Sequence, residues 1–343
     1  MQTVRLGKTA LMVSRIGFGG IPIQRLSEDE AVRVVQGCLD LGVTFLDTAN
    51  GYTSSEERIG RAVRGRRQGV VLATKTQRRD PQGVRTHLEL SLRRLGTEFI
   101  DLYQFHGVSD LAAYEAITDP SGPLATLEAA KREGLIGHIG LTSHSPDIAK
   151  RAVKSGLFET VMFPFNFISC ESADDLLPLA EKNDVGFIAM KPMAGGLLES
   201  ASLAFRYLLQ FPWAVPIVGV ERVEEMEQAV AALRGPLELG PGDREQMKEV
   251  RARLGKSFCH RCDYCQPCSE GIAISMVMVT KSSLRRLPEG TMFEGWYAGA
   301  IAKAKECTDC GECETRCPYE LPIRDILKQN IAAWEEASRA RTR

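Results

Sequence analysis

No stretch of this 343-residue chain is long and apolar enough to span a bilayer, and its N-terminus, MQTVRLGKTALMV, lacks an apolar run followed by a small-residue cleavage site. A cytoplasmic location and no membrane partner are the expectations. Charge bias is also missing: the formal net charge is -1 with 44% hydrophobic residues, which gives no reason to expect nucleic acid or an acidic surface as a partner. Cysteine is nearly absent from the first 258 residues, which hold only Cys38 and Cys170. Cys38 repeats with Ala31, Val34 and Val35 at helical spacing and reads as packed core, while Cys170 has no neighbour at ligand spacing. The other eight cysteines crowd into Cys259–Cys317 at two- and three-residue gaps. In a chain without an export signal that crowding reads as metal binding rather than as a disulfide framework.

The glycines of IGFGG at Ile16–Gly20 lack the third glycine and the helix start of a dinucleotide fingerprint, so that reading is set aside. What the chain does have is a repeat. After a short hairpin over Thr3–Arg15, a run rich in β-branched residues, a polar loop and an amphipathic helix recur roughly every 25–35 residues, the period of a βα unit. Eight runs qualify: IGFG, VTFLD, VVLATK, IDLYQFH, IGHIGLT, TVMFPFN, VGFIAMK and AVPIVGV. Helix starts are marked by the capping box Ser27-x-x-Glu30, by Asp80 before Pro81 and by Ser145 before Pro146; Ser172 with Asp175 forms another candidate cap. Near-continuous apolar strands flanked by helices argue for a parallel α/β sheet, and eight units favour a closed (β/α)8 TIM barrel over a doubly wound sheet. Arg61, Arg64, Arg66 and Arg67 gather at a helix end, where the helix dipole favours cations, and call for no phosphate or nucleic-acid patch. Residues 1–235 are therefore expected to form the barrel, residues 236–257 a linker of Pro and Gly punctuation followed by a charged helical segment, and residues 258–343 a small, mainly helical domain with both cysteine motifs, helix-like portions such as MFEGWYAGAIAKAKE and a helix over about 323–334.

Four polar residues stand at or just beyond successive strand ends: Asp47 and Tyr52 in DTANGY, Lys75 closing VVLATK, and His106 closing IDLYQFH. With the following SSEERIGRAV they resemble the tetrad and next helix of the aldo-keto reductase family, a resemblance that covers about residues 1–233 and implies reduction of an aldehyde or ketone, or oxidation of the alcohol, with NADP(H) or NAD(H). The resemblance makes Tyr52 the proton donor, Lys75 the cation that lowers its pKa towards neutral pH, Asp47 the counter-charge of Lys75, and His106 the group that orients the carbonyl. It also assigns Ser143 and Asn166 to the nicotinamide carboxamide and the loop Lys191, Pro192, Gly195, Gly196 to the pyrophosphate. Glu221 stands where many relatives carry Lys or Arg, and a carboxylate there repels a 2′-phosphate, although Arg222 beside it offers compensation. A hydrolytic barrel would need paired carboxylates at strand ends, and only Asp47 is so placed.

FCHRCDYCQPC supplies Cys259, Cys262, Cys265 and Cys268; ECTDCGECETRCP supplies Cys307, Cys310, Cys313 and Cys317, followed by Pro318. The second run matches the C-x2-C-x2-C-x3-C-P of bacterial ferredoxins, and the first departs from it by one residue in its last gap and by Ser269 in place of proline. Zinc sites usually pair C-x2-C couples across longer loops, so two 4Fe-4S clusters are the better reading of eight thiols. In the ferredoxin pattern the fourth cysteine of each run serves the other cluster. That implies Cys259, Cys262 and Cys265 with Cys317, and Cys307, Cys310 and Cys313 with Cys268. The leading expectation is a nicotinamide-dependent oxidoreductase for a small carbonyl or alcohol, with a possible redox partner. The alternative is an iron–sulfur electron-transfer protein whose barrel serves for docking or regulation.

Overall fold

The computed structural model describes residues 1–341. The chain divides into two compact units, residues 1–243 and the residues from 244 onward. In the first, a hairpin of β1 (Thr3–Arg5) and β2 (Met12–Ser14) precedes eight strands: β3 (Gly17–Gly19), β4 (Phe45–Asp47), β5 (Val71–Thr76), β6 (Ile100–Phe105), β7 (Ile136–Thr142), β8 (Thr160–Pro164), β9 (Gly186–Met190) and β10 (Ala214–Val218). Each expected run is a strand, all neighbours are parallel, and β10 pairs with β3 to close the barrel. Closure leaves no sheet edge, which decides against a doubly wound sheet.

Alternation along the strands sorts the side chains. Phe45, Val71, Ala73, Leu102, Met162, Ile188, Val215 and Ile217 fill the barrel interior, while Leu46, Leu72, Tyr103, Phe105 and Leu141 point outward and pack with helix residues such as Val35, Leu88 and Leu127. Leu6 and Val13 of the hairpin join the interior cluster from the side where the strands begin, so the hairpin seals the barrel bottom. Each contributes roughly 1.5–3 kcal/mol of burial. The approach is tight enough to require glycine: a Cβ on Gly7, whose φ is 54°, would stand 2.2 Å from the Gly186 amide nitrogen at the start of β9.

The helix starts follow the capping chemistry. Ser27 and Glu30 form a reciprocal capping box, and Asp80 and Ser145 each accept from a first-turn amide ahead of proline. One expected cap shifts: Asp175 alone caps the helix Leu176–Lys182, because Ser172 lies in a separate short turn, Glu171–Ala173. The arginine cluster is held by carboxylates rather than by a helix end alone, with Arg61 on Glu28, Arg66 on Asp40 and Arg67 on Asp101. Cys38 is fully buried in the core.

A helix, Pro241–Leu254, occupies most of the segment expected as linker, and only its Met247 is buried. In the second unit the helical stretch expected around MFEGWYAGAIAKAKE is divided at Gly295 into a π-turn, Gly290–Glu294, and a helix, Trp296–Ala304. The last helix runs Ile323–Arg341, longer than expected, and buries Ile323, Leu327 and Asn330. Its partners are Ile272, Ile274, Val277, Met278, Met292, Tyr297, Ile301 and Leu321. The polar members of this core are satisfied: the Asn330 amide donates to the Val277 and Met278 carbonyls at 2.9 and 3.0 Å, and the Tyr297 hydroxyl donates to the Met276 carbonyl at 2.8 Å. Among the described residues no helix is long and apolar enough to cross a membrane.

Candidate active site and cysteine-rich sites

Asp47, Lys75 and Gln104 each lie two residues beyond an interior apolar side chain, Phe45, Ala73 and Leu102. Period-two alternation therefore places them inside the barrel, one layer nearer its C-terminal mouth. There the Lys75 ammonium donates to Asp47 Oδ2 at 2.5 Å and to the Thr48 carbonyl at 2.7 Å, and Gln104 Nε2 donates to Asp47 Oδ1 at 3.1 Å. Lys75 and Asp47 are about 1 and 2% exposed, so each charge depends on the other. Burial disfavours the ammonium, but Asp47 and Tyr52 together outweigh it, and Lys75 is held above the ordinary lysine range. Burial pushes the Asp47 carboxyl up, against the opposing pull of Lys75 and Gln104.

Tyr52 is carried on the loop between β4 and the helix Ser55–Ala62, and its ring lies 5.1 Å from Lys75 Nζ. The His106 ring meets Tyr52 edge-on with centroids 5.5 Å apart. The structure thus brings all four tetrad candidates together at one mouth. Two backbone ties steady the loops: Arg79 Nη2 donates to the His106 carbonyl at 2.6 Å, and Arg94 donates to the Asn50 carbonyl at 3.2 Å. Gln104, Thr48, Arg79 and Arg94 were not singled out from the sequence. Gln104 alone left a readable signal, since alternation from Leu102 puts it on the inner face.

The nucleotide candidates divide into two groups. Asn166 is buried, its Oδ1 accepts from the Ile168 and Ser169 amides at 2.8 and 2.9 Å, and its Nδ2 donates to the Lys191 carbonyl at 3.0 Å. Lys191 Nζ lies 2.8 Å from His144 Nε2, beside Ser143, whose buried hydroxyl accepts from the Ser145 amide at 3.0 Å. Ser143, Asn166 and the Lys191–Gly196 loop are therefore one connected group. In that loop Lys191, Ala194, Gly195 and Gly196 have φ of 59, 48, 72 and 89°, around Pro192. Within it the Ala194 and Gly196 amides donate to the Lys191 and Met193 carbonyls at 2.9 and 2.8 Å, which fixes the shape of the turn. Glu221 and Arg222 form the second group, ahead of the helix Val223–Ala231: Glu221 pairs with Arg25 at 3.3 Å and Arg222 with Glu225 at 3.1 Å.

The cysteines line two open-mouthed cavities in the second unit, of about 330 and 390 Å³ with the open solvent at their mouths included. Cys259, Cys262, Cys265 and Cys317 face the smaller, and Cys268, Cys307, Cys310 and Cys313 the larger. Each cavity thus receives three thiols from one run and the fourth from the other. Among the described residues no group of His, Cys, Asp or Glu is tight enough for a single metal ion; these thiols ring a space rather than a point. The two runs share a backbone pattern: φ is positive two and four residues after the first cysteine, at Arg261 and Asp263 and again at Asp309 and Gly311, and three residues after the fourth, at Gly271 and Glu320. Buried apolar pairs follow in register, Ile272 and Ile274 in one half, Leu321 and Ile323 in the other. Burial pushes the Cys265 thiol up to about 12, with the neighbouring thiols adding to the rise, so this group calls for a strong cationic centre to hold it as a thiolate.

Barrel, tetrad geometry and paired thiol-lined cavities define an oxidoreductase of the aldo/keto reductase family, whose profile matches residues 15–203, and the chain belongs to that family. Residues 258–322 match the 4Fe-4S dicluster domain, so the second unit carries that domain. The chain is 30% identical over 217 residues to the uncharacterized oxidoreductase YqkF of Bacillus subtilis, covering 59% of this chain and 68% of that one. Among solved structures it resembles the holo form of the aldo-keto reductase AKR11C1 from Bacillus halodurans, with a TM-score of 0.64, 25% identity, and 73% and 96% of the two chains covered. It also resembles an aldo-keto reductase from Klebsiella pneumoniae in complex with NADPH, with a TM-score of 0.62, 23% identity, and 73% and 95% covered.

Proposed function

We propose that the barrel reduces an aldehyde or ketone to its alcohol, or runs the reverse reaction, with Tyr52 as the proton donor. The observation that carries this reading is the buried Lys75–Asp47 pair with Lys75 Nζ 5.1 Å from the Tyr52 ring and His106 edge-on to it. A bound nicotinamide supplies the hydride. The protein's part is to deliver a proton to the carbonyl oxygen as negative charge builds there. Lys75, held cationic by Asp47, favours the phenolate that Tyr52 becomes, and Gln104 fixes the free oxygen of Asp47 so that the pair keeps its orientation. His106 orients the substrate oxygen towards the phenol.

Ser143, Asn166, Lys191, Pro192, Gly195 and Gly196 would hold the nucleotide, the left-handed loop taking the diphosphate. Glu221 disfavours a 2′-phosphate, and the two guanidiniums beside it are already paired with carboxylates, Arg25 with Glu221 itself and Arg222 with Glu225. NADH is therefore the expected partner, although the Klebsiella pneumoniae relative holds NADPH. The two clusters would be held by Cys259, Cys262, Cys265 and Cys317, and by Cys268, Cys307, Cys310 and Cys313.

Tyr52→Phe tests the tetrad. NAD(P)H binding, followed by fluorescence titration, should stay near wild type while turnover of a panel of aldehydes and ketones is lost. Turnover unchanged by the substitution sinks the assignment, and a wild type that binds neither nucleotide favours the alternative, an iron–sulfur electron-transfer protein with the barrel as a docking module. Glu221→Lys should raise affinity for NADPH relative to NADH; a wild type already strongly selective for NADPH refutes the nucleotide preference.

A further inference from the structure

The two cysteine-lined cavities are built on one frame, with equal backbone turns and equivalent apolar residues, so differences between them stand out at equivalent positions. One residue after the first cysteine, the smaller cavity has His260 and the larger has Thr308. Two residues after the fourth, the smaller has Tyr319 and the larger has Glu270. His260 and Tyr319, one from each run, stack with ring centroids 3.7 Å apart and planes 2° from parallel, and Phe258 meets His260 edge-on at 4.9 Å. The smaller cavity is thus lined by an aromatic pair whose counterparts at the larger one cannot stack. Cys310 and Thr308 of the larger cavity are exposed, whereas none of the four cysteines of the smaller one is.

Charge does not separate the two sites in the same way. Arg261 and Asp263 line the smaller cavity, one cation and one anion; Arg316, Arg324, Glu270 and Glu312 line the larger, two of each. The formal balance is zero at both, which leaves access to water as the main difference. Adding an electron to a cluster adds negative charge, and negative charge is better solvated where water reaches it.

We propose that the two sites are inequivalent by construction, and that His260 and Tyr319 make them so: the Cys268, Cys307, Cys310, Cys313 site, with its exposed thiol, accepts the first electron, and the site lined by the aromatic pair accepts one only at lower potential. This rests on the ligand sets proposed above. Each step takes one electron from a one-electron donor such as dithionite, which is oxidised by the same count, and no bond is made or broken. Ile274 lines both cavities, so the second site is reached from the first across one shared side chain.

The test is a dithionite titration of the full-length, iron-loaded protein, followed by electron paramagnetic resonance, after iron and sulfide have been measured. Wild type should reduce in two separate steps, and Cys310→Ser should move the first and leave the second. Tyr319→Ala should raise the second step towards the first. The reciprocal graft, Thr308→His with Glu270→Tyr, should lower the first step, and it serves as the deciding variant where Tyr319→Ala fails to take up iron. Two coincident steps in a wild type carrying eight irons overturn the proposal, as does a graft that leaves the first step unmoved. Iron content short of eight, or Cys310→Ser moving neither step, instead overturns the ligand sets.

Discussion

Lys75 carries its ammonium to a position about 1% exposed, and a charge so placed is tolerable only beside its partner. Asp47→Asn leaves that ammonium without a counter-charge and should destabilise the barrel by roughly 3–5 kcal/mol in urea unfolding. Replacing both, Asp47→Leu with Lys75→Met, should recover most of this loss while activity stays absent; a double variant no more stable than Asp47→Asn would show that the pair does more than neutralise itself. Asp47 and Lys75 were legible in the sequence because each ends an apolar run with a charge, where a barrel opens to solvent. Gln104 was legible only as an inward-facing position, because its role depends on the Asp47 oxygen 3.1 Å away, which no pattern along one strand records. Ser143 and Asn166 were legible as positions, but their ties to Ser145 and to the Lys191 carbonyl come from how the loops fold back.

Between elements, Glu159 just ahead of β8 joins neighbouring strands and a helix. Its carboxylate accepts from the β7 amide of Ile139 at 3.1 Å, lies 2.9 Å from His138 Nδ1, and takes a hydrogen bond from Lys131 at 2.5 Å. Burial raises its pKa, but the hydrogen bonds from His138 and Lys131 prevail and bring it down from 4.5 to about 2. A carboxyl depressed on folding stabilises above its unfolded value and loses that contribution as pH falls through its folded one. Glu159→Gln should therefore flatten the fall in barrel stability between about pH 4.5 and 2, with little change in its slope above pH 6; an unchanged acid limb in urea titrations at stepped pH would remove the residue from that role. In the second unit, Asn330→Ala strands two buried carbonyls and should cost about 1–3 kcal/mol, read in the thermal transition of that unit. The strands were legible because β-branched runs and polar loops alternate with few interruptions. The helix Pro241–Leu254 read as a linker because its sequence offers one buried side chain, and Asn330 escaped notice because a polar residue on an apolar helix face looks like a break in the face.

At the scale of the whole chain, the two units differ in what holds them. The first has a closed sheet with an apolar layer inside and another outside. The second buries a small core around two thiol-lined cavities, and small domains of that kind depend on their metal. Stripping iron with a chelator should therefore remove the helical signal of the second unit while the barrel still unfolds cooperatively on heating, two separable events by circular dichroism; a single transition shared by loaded and stripped protein would argue that the clusters do not carry the fold. This division was legible in the crowding of cysteines after residue 258. The crossing of thiols between the runs also has a consequence in time. On the proposed ligand sets, one site needs Cys313 and the other Cys317, whereas the last barrel strand is complete at Val218. During synthesis the barrel strands have all emerged before either site possesses its fourth thiol, so cluster loading comes late in the life of the nascent chain, and an interrupted translation product ending before Cys313 would present a barrel with both sites unfinished.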